Sequence, residues 1–285
     1  MSTQQHKLAT LLARRSFTEL NARQRAHALL DPGSGRELLD PFERLMSPWL
    51  GAQQIVPQAD DGVVVLKGRL AGKPTVVLSI EGAFQGGSLG EVGGAKIAGA
   101  LELAAEDNRR GIATQAVLLL ESGGVRLQEA NLGLAAIAEI HAAIVDLARY
   151  RPVVGVIAGP VGCFGGMSIA AGLCSYLLVT REARLGLNGP QVIEQEAGVL
   201  EYDSRDRPFI WSLTGGEQRF ATGFADAYLE DDCDTLRAAV TDYCQRPLPA
   251  TPRHARSGYF LPRLSSLDSS QQADSQRART LFSQE

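Results

Sequence analysis

The stretch Arg151 to Pro190, RPVVGVIAGPVGCFGGMSIAAGLCSYLLVTREARLGLNGP, constrains this chain more than any other. Val153-Val154-Gly155-Val156-Ile157-Ala158 is an apolar, β-branched run without alternation. That pattern belongs to a strand buried on both faces. A glycine-rich turn follows, Gly159-Pro160-Val161-Gly162-Cys163-Phe164-Gly165-Gly166, then a short apolar helix from Met167 to Leu173 and a second buried strand from Tyr176 to Thr180. Residues without Cβ let a ligand approach the backbone closely. The turn also aims the free N–H groups of a helix N-terminus at one point. Such donors suit an oxygen that becomes negative during a reaction. The alternative is a tight turn that only packs strand against helix.

The rest of the chain repeats this grammar. Val63 to Leu66 and Thr75 to Ile80 read as strands joined in a hairpin. Ser88-Leu89-Gly90-Glu91 reads as a capping box opening a helix to about Asn108, and Ala116 to Leu120 as the next strand. A second glycine turn comes directly after that strand, Glu121-Ser122-Gly123-Gly124-Val125-Arg126-Leu127-Gln128. Leu134, Ile137, Ile140, Ile144 and Leu147 then recur at helical spacing up to Tyr150. Helices between buried strands make the class α/β. The organisation expected is a helical N-terminal arm over 1–55, one domain over 56–246, and an extended or partly helical tail over 247–285. Ser16-Phe17-Thr18-Glu19 reads as a cap for a helix in the arm, whose Arg14, Arg15, Arg23 and Arg25 read as a solvated face. In the tail, Leu248, Phe260, Leu261 and Leu264 are the apolar anchors.

Composition excludes several classes. A net charge of −4 offers no nucleic-acid footprint. No apolar run reaches the roughly 18 residues of a membrane span, and the start lacks the apolar region of a signal peptide. A cytoplasmic protein is expected, with reduced thiols at Cys163, Cys174, Cys233 and Cys244. No Cys pair or His/Asp/Glu cluster has metal-ligand spacing, so no metal is expected. GxGxxG is absent. Gly90 to Lys96 misses the second required glycine of a phosphate-binding loop. Ser168 reads as an ordinary helix residue, His141 as a satisfied structural histidine, and Cys163 as a small packing residue. Two glycine turns survive, Gly123-Gly124-Val125 and Gly162 to Gly166, each after a buried strand. Two backbone N–H groups converging on one carbonyl oxygen make an oxyanion hole.

The order GGSLGEVGGAKIAGALELA, LLLESGGVRLQEA and PVVGVIAGPVGCFGGMSIAAGLCSYLLV resembles the carboxyltransferase branch of the crotonase superfamily. The likeness covers about residues 60 to 245. With the arm included, the chain is most similar to β subunits of biotin-independent malonate decarboxylases. This resemblance implies a spiral of ββα units and a thioester carbonyl held by two amides, from Gly124 or Val125 and from Gly165 or Gly166. Gly123, Gly162 and Cys163 would line that site. Arg126 and Gln128 lie close enough in sequence to grip the malonyl carboxylate, although Arg126 serves equally well as a structural ion pair.

The resemblance implies no covalently bound cofactor. The substrate would ride on the phosphoribosyl-dephospho-CoA arm of an acyl carrier protein. Partners would be a second crotonase-like (γ) subunit, that carrier protein and its acyltransferase subunit. Hydratase glutamates are missing, for Ser168 and Leu187-Asn188-Gly189-Pro190 stand in their places. No cysteine precedes Cys163, so the zinc ribbon of bacterial carboxylase β subunits is missing too. Two rivals share these features: the carboxyltransferase subunit of a biotin-dependent carboxylase, and a non-catalytic acyl-thioester-binding scaffold.

Overall fold

The structure is a computed structural model that describes residues 13–268, 270–271 and 274–283. Its strands form one seven-stranded sheet in sequential order: β1 (Arg36–Leu38), β2 (Val63–Leu70), β3 (Lys73–Ile80), β4 (Gln115–Leu119), β5 (Val153–Ile157), β6 (Tyr176–Thr180) and β7 (Ala227–Leu229). The first three strands pair antiparallel and the rest parallel. A helix crosses between successive parallel strands: α2 (Glu91–Arg109), α3 (Asn131–Leu147) and α4 (Gly165–Leu173). From β2 to β6 this is the ββα-βα-βαβ order read from the sequence, but the segment expected to be a helical arm over 1–55 also supplies β1, an edge strand paired with β2. The register aligns Leu119 of β4 with Val156 of β5, so the turns leaving those two strands lie side by side. Ligands of open α/β sheets gather at such carboxyl ends.

Both faces of the sheet are covered, which is why the central strands β4, β5 and β6 run nearly continuously apolar. Alternate residues feed two cores. Val63, Val65, Ala116 and Leu118 pack under α2, α3 and α4, against Ile97, Leu101, Ile140, Ile144 and Met167. Val64, Leu66, Val117 and Leu119 face the other way, onto α1 (Ala22–Leu29) and a later helix, α8 (Cys233–Gln245), through Ala26, Leu29, Leu236 and Val240.

Several local expectations are corrected. Ser16 caps no helix. Its hydroxyl donates to Asp231, whose carboxylate also accepts the N–H groups of Phe17 and Thr18. The capping box is formed by Asn21 and Gln24, at the start of α1. Ser88 does not cap α2 either. There the Glu91 N–H donates to the carboxylate of Glu129, 38 residues away. A long-range carboxylate has replaced a local hydroxyl.

Arg23 and Arg25 are not a solvated face. Arg23 bridges Glu37 and Asp60, and the buried Arg25 pairs with Glu121 at 2.7 Å. Beyond β6 come α5 (Pro190–Ala197), α6 (Arg207–Thr214) and α7 (Gly216–Ala221). The C-terminal segment holds α9 (Ser257–Ser265) and α10 (Ser275–Ser283). Phe260 and Phe282 close on Phe224, with ring centroids 4.6 and 5.7 Å away. Leu261 and Leu264 remain exposed.

Candidate active site

Two glycine turns at the carboxyl ends of β4 and β5 form the candidate site. They are sewn together by backbone hydrogen bonds: Ser122 N–H to Gly162 O at 2.7 Å and Phe164 N–H to Ser122 O at 2.9 Å. Gly124 and Gly165 then meet back to back. A Cβ added to Gly165 would sit 3.1 Å from Gly124 Cα and 3.8 Å from Val125 N. Both residues have positive φ, +106° and +57°, which L side chains rarely adopt. Glycine is required at both, for the space and for the dihedral.

The turns are held by a residue that sequence reasoning passed over. Glu121 is buried, and its Oε1 accepts the N–H groups of Val161 at 2.7 Å and Gly162 at 3.1 Å while its Oε2 takes Arg25. A side chain at Gly159 would collide with this carboxylate. The available signal was an acidic residue directly after the apolar run Val117 to Leu120. Such a charge is buried only where donors surround it.

The hydrogen bonds discriminate among the candidate amides. The Gly124 N–H already donates to Ser122 Oγ at 3.1 Å, and the Gly165 N–H to Leu187 O at 2.7 Å. Among the described residues no acceptor faces the N–H of Val125 or of Gly166. Each lies at a half-buried position, one per turn. Gly166 stands in the first turn of α4, where the helix dipole adds positive potential.

The other sequence candidates separate clearly. Gly123 is exposed, and its N–H donates to Gly86 O at 2.8 Å. Gly162 has a φ of +79° and accepts from Ser122, so it shapes the turn. Cys163 is wholly buried, and burial pushes its thiol well above the ordinary range. It packs and is not poised as a nucleophile.

Arg126 does not reach the site with its charge, which corrects one of its two readings. It is 0% exposed, and its guanidinium binds Asp61 at 2.7 Å, Glu129 at 3.0 Å and Ser88 O at 2.9 Å. Phe84 lies against it as a cation–π partner. Burial raises the Asp61 carboxyl above its ordinary value, against the opposing pull of Arg126. Gln128 is half-buried, and its carbonyl accepts from Gln53 at 2.8 Å. Ser168 donates its hydroxyl to Gly165 O at 2.7 Å.

Two clefts adjoin the turns. One of about 400 Å³ is mostly apolar and is lined by Ser168, Ile169, Leu185, Leu187, Phe224 and Phe260. Another of about 500 Å³ lies beside Pro160, with Arg181, Arg207 and Trp211 on its walls. Neither Arg181 nor Arg207 has a carboxylate partner among the described residues.

The mixed seven-stranded sheet with its crossing helices is that of crotonase-fold carboxyltransferases. The Carboxyl transferase domain family matches residues 14–276, and the chain belongs to that family. It is similar to a chain of a Pseudomonas malonate decarboxylase hetero-tetramer solved with malonate, at 74% identity over 96% of this chain and 100% of that one, with a TM-score of 0.93. Malonyl-S-ACP:biotin-protein carboxyltransferase MADC of Malonomonas rubra is 36% identical over 259 residues, 87% of this chain and 81% of that protein. The transcarboxylase 12S chain with methylmalonyl-coenzyme A bound is 30% identical, with a TM-score of 0.68; the match covers 79% of this chain and 40% of that one.

Proposed function

We propose that this chain is the β-type subunit of a malonate decarboxylase. With a second crotonase-like subunit it converts malonyl-S-acyl carrier protein and a proton into acetyl-S-acyl carrier protein and CO2. The observation that carries this reading is the pair of unengaged amides, Val125 and Gly166, on two turns in contact. The 74% identity to a malonate decarboxylase chain supports the substrate class.

The thioester oxygen sits between these two N–H groups. As the bond from Cα to the carboxylate carbon breaks, its electron pair moves through Cα to that oxygen, and CO2 leaves. The amides stabilise the enolate more than the neutral thioester, which is the differential binding that lowers a barrier. A proton delivered to Cα completes the acetyl group. No covalent intermediate forms on this chain, consistent with the buried thiol of Cys163.

The finer features of the substrate belong to the same reading. A carrier arm bearing phosphates and a nucleoside needs cations and a stacking surface. Arg181, Arg207 and Trp211 supply both in the cleft beside Pro160. The second subunit is supported by relatives solved as a hetero-tetramer and as an MdcD–MdcE hetero-dimer.

The likeness to MADC favours a specific rival, in which the carboxyl group passes to a biotin protein. Release of labelled CO2 from malonyl carrier protein by the two crotonase-like subunits, with avidin added, separates the readings. Undiminished release is expected. Inhibition by avidin would assign the chain to the biotin-dependent carboxyltransferases. Thioester binding without CO2 release would leave a binding scaffold.

A further inference from the structure

Gly166 presents its amide from a dipeptide with no side chains, so nothing on Gly165 or Gly166 fixes the direction of that N–H. Glycine loses more conformational freedom on ordering than any other residue, and a donor misaimed by tens of degrees is a poor one. The α4 backbone orients the two peptide units that flank the Gly166 α-carbon, and side-chain contacts hold them further.

The carbonyl of the first unit, Gly165 O, accepts the Ser168 hydroxyl at 2.7 Å. The carbonyl of the second, Gly166 O, lies 2.8 Å from Nε2 of His141, a half-buried residue on α3. A carbonyl oxygen only accepts, so this contact assigns the proton to Nε2 of the imidazole. Ile137 stands one helical turn before His141, and a methyl added to Gly166 would approach its Cγ2 to 2.7 Å. One face of α3 therefore meets Gly166 twice, by packing at the α-carbon and by hydrogen bonding at the oxygen. The Ser168 contact alone is the ordinary back-bond of a helical serine; the one from His141 comes from a different helix, 25 residues away.

We infer that His141 is a positioning residue for the decarboxylation: it holds the Gly166–Met167 peptide unit and, through the shared α-carbon, the adjoining unit whose Gly166 N–H points at the developing oxyanion. It touches neither the substrate nor the reacting atoms. This rests on the oxyanion reading of the site.

The test measures kcat and KM for CO2 release from malonyl carrier protein by the assembled complex. His141→Phe keeps a planar aromatic ring, slightly larger, and removes the donor; His141→Gln keeps an amide nitrogen at a similar reach. A lost oxyanion donor costs about 100- to 1,000-fold in rate. A donor that is present but loosely held should cost less, about tenfold. The expectation is kcat down about tenfold in the Phe variant with KM within about twofold, and recovery to within about threefold of wild type in the Gln variant. If the Phe variant fails to assemble, His141→Asn, one bond too short to reach the carbonyl, carries the same expectation.

Gly166→Val serves as the control. Activity in that variant would overturn the oxyanion reading itself. An inactive Gly166→Val beside an unimpaired His141→Phe would overturn the His141 inference alone. So would equal losses in the Phe and Gln variants, because the hydrogen bond would then be irrelevant.

Discussion

At the residue scale the site depends on side chains that are missing. Gly165→Val places a branched residue at a φ of +57° and against Gly124 Cα. Turnover should fall at least about 100-fold, the cost of one oxyanion donor, and labelled CO2 release measures it. Cys163→Ala should retain activity within about threefold. In the native protein the buried thiol should resist alkylation until the chain unfolds. Arg126 gives the opposite kind of prediction. Arg126→Met leaves Asp61 and Glu129 facing each other in a dry interior. A buried pair broken in this way loses about 3–5 kcal/mol, read as a lower denaturation midpoint. Adding Asp61→Asn removes one of the stranded charges and should recover part of the loss. A raised KM at unchanged stability would instead return Arg126 to substrate binding.

At the element scale, one carboxylate fastens the second glycine turn to the end of β4. Glu121 joins the Val161 and Gly162 amides to Arg25 of α1. Glu121→Ala strands a buried guanidinium and two amides. It should cost about 3–5 kcal/mol and lower kcat as well, because the Gly162 to Gly166 segment loses its anchor. Equilibrium unfolding and turnover on the same sample check both effects. The C-terminal helices behave differently, since they close through the aromatic cluster of Phe224, Phe260 and Phe282. Phe260→Ala should expose residues beyond Arg246 to limited proteolysis while the sheet unfolds near its wild-type temperature, a local opening of the kind packed appendages undergo.

At the scale of the whole molecule the chain presents apolar side chains around the site that its own fold does not cover. Leu187 is 61% exposed and Ile169 49%, and both line the cleft beside α4. A partner subunit docked there would exclude water from the enolate and bury an interface of roughly 2,000 Å² or more, as obligate pairs do. Ile169→Asp should weaken co-purification of the second subunit, as sedimentation of the mixture would reveal, while the isolated chain folds normally. Arg181→Glu with Arg207→Glu should raise KM for malonyl carrier protein about tenfold or more at nearly constant kcat, because the proposed grip of this cleft on the carrier arm is uniform binding.

The sequence by itself determined strands β2 to β6 of the sheet and the two glycine turns on which the proposed site rests. Apolar runs at Val63, Thr75, Ala116, Val153 and Tyr176 have one solution, strands buried on both faces with helices between, and glycine turns after two of them mark where backbone donors can gather. That information is local, because periodicity and the absence of Cβ are properties of neighbours in the chain. Everything that joins distant residues was left to the tertiary structure. Arg25 looks solvated in sequence and Arg126 serves there equally as a substrate grip or an ion pair; only the approach of Glu121 to the first, and of Asp61 and Glu129 to the second, decides both. The N-terminus of α2 is capped by Glu129 rather than by the nearby Ser88, which no local pattern encodes. Which amides stay unengaged, those of Val125 and Gly166 rather than Gly124 and Gly165, was likewise tertiary, since it turns on which of them Ser122 and Leu187 occupy. Buried polar groups must find partners wherever the fold brings them, and those partners lie far away in the chain.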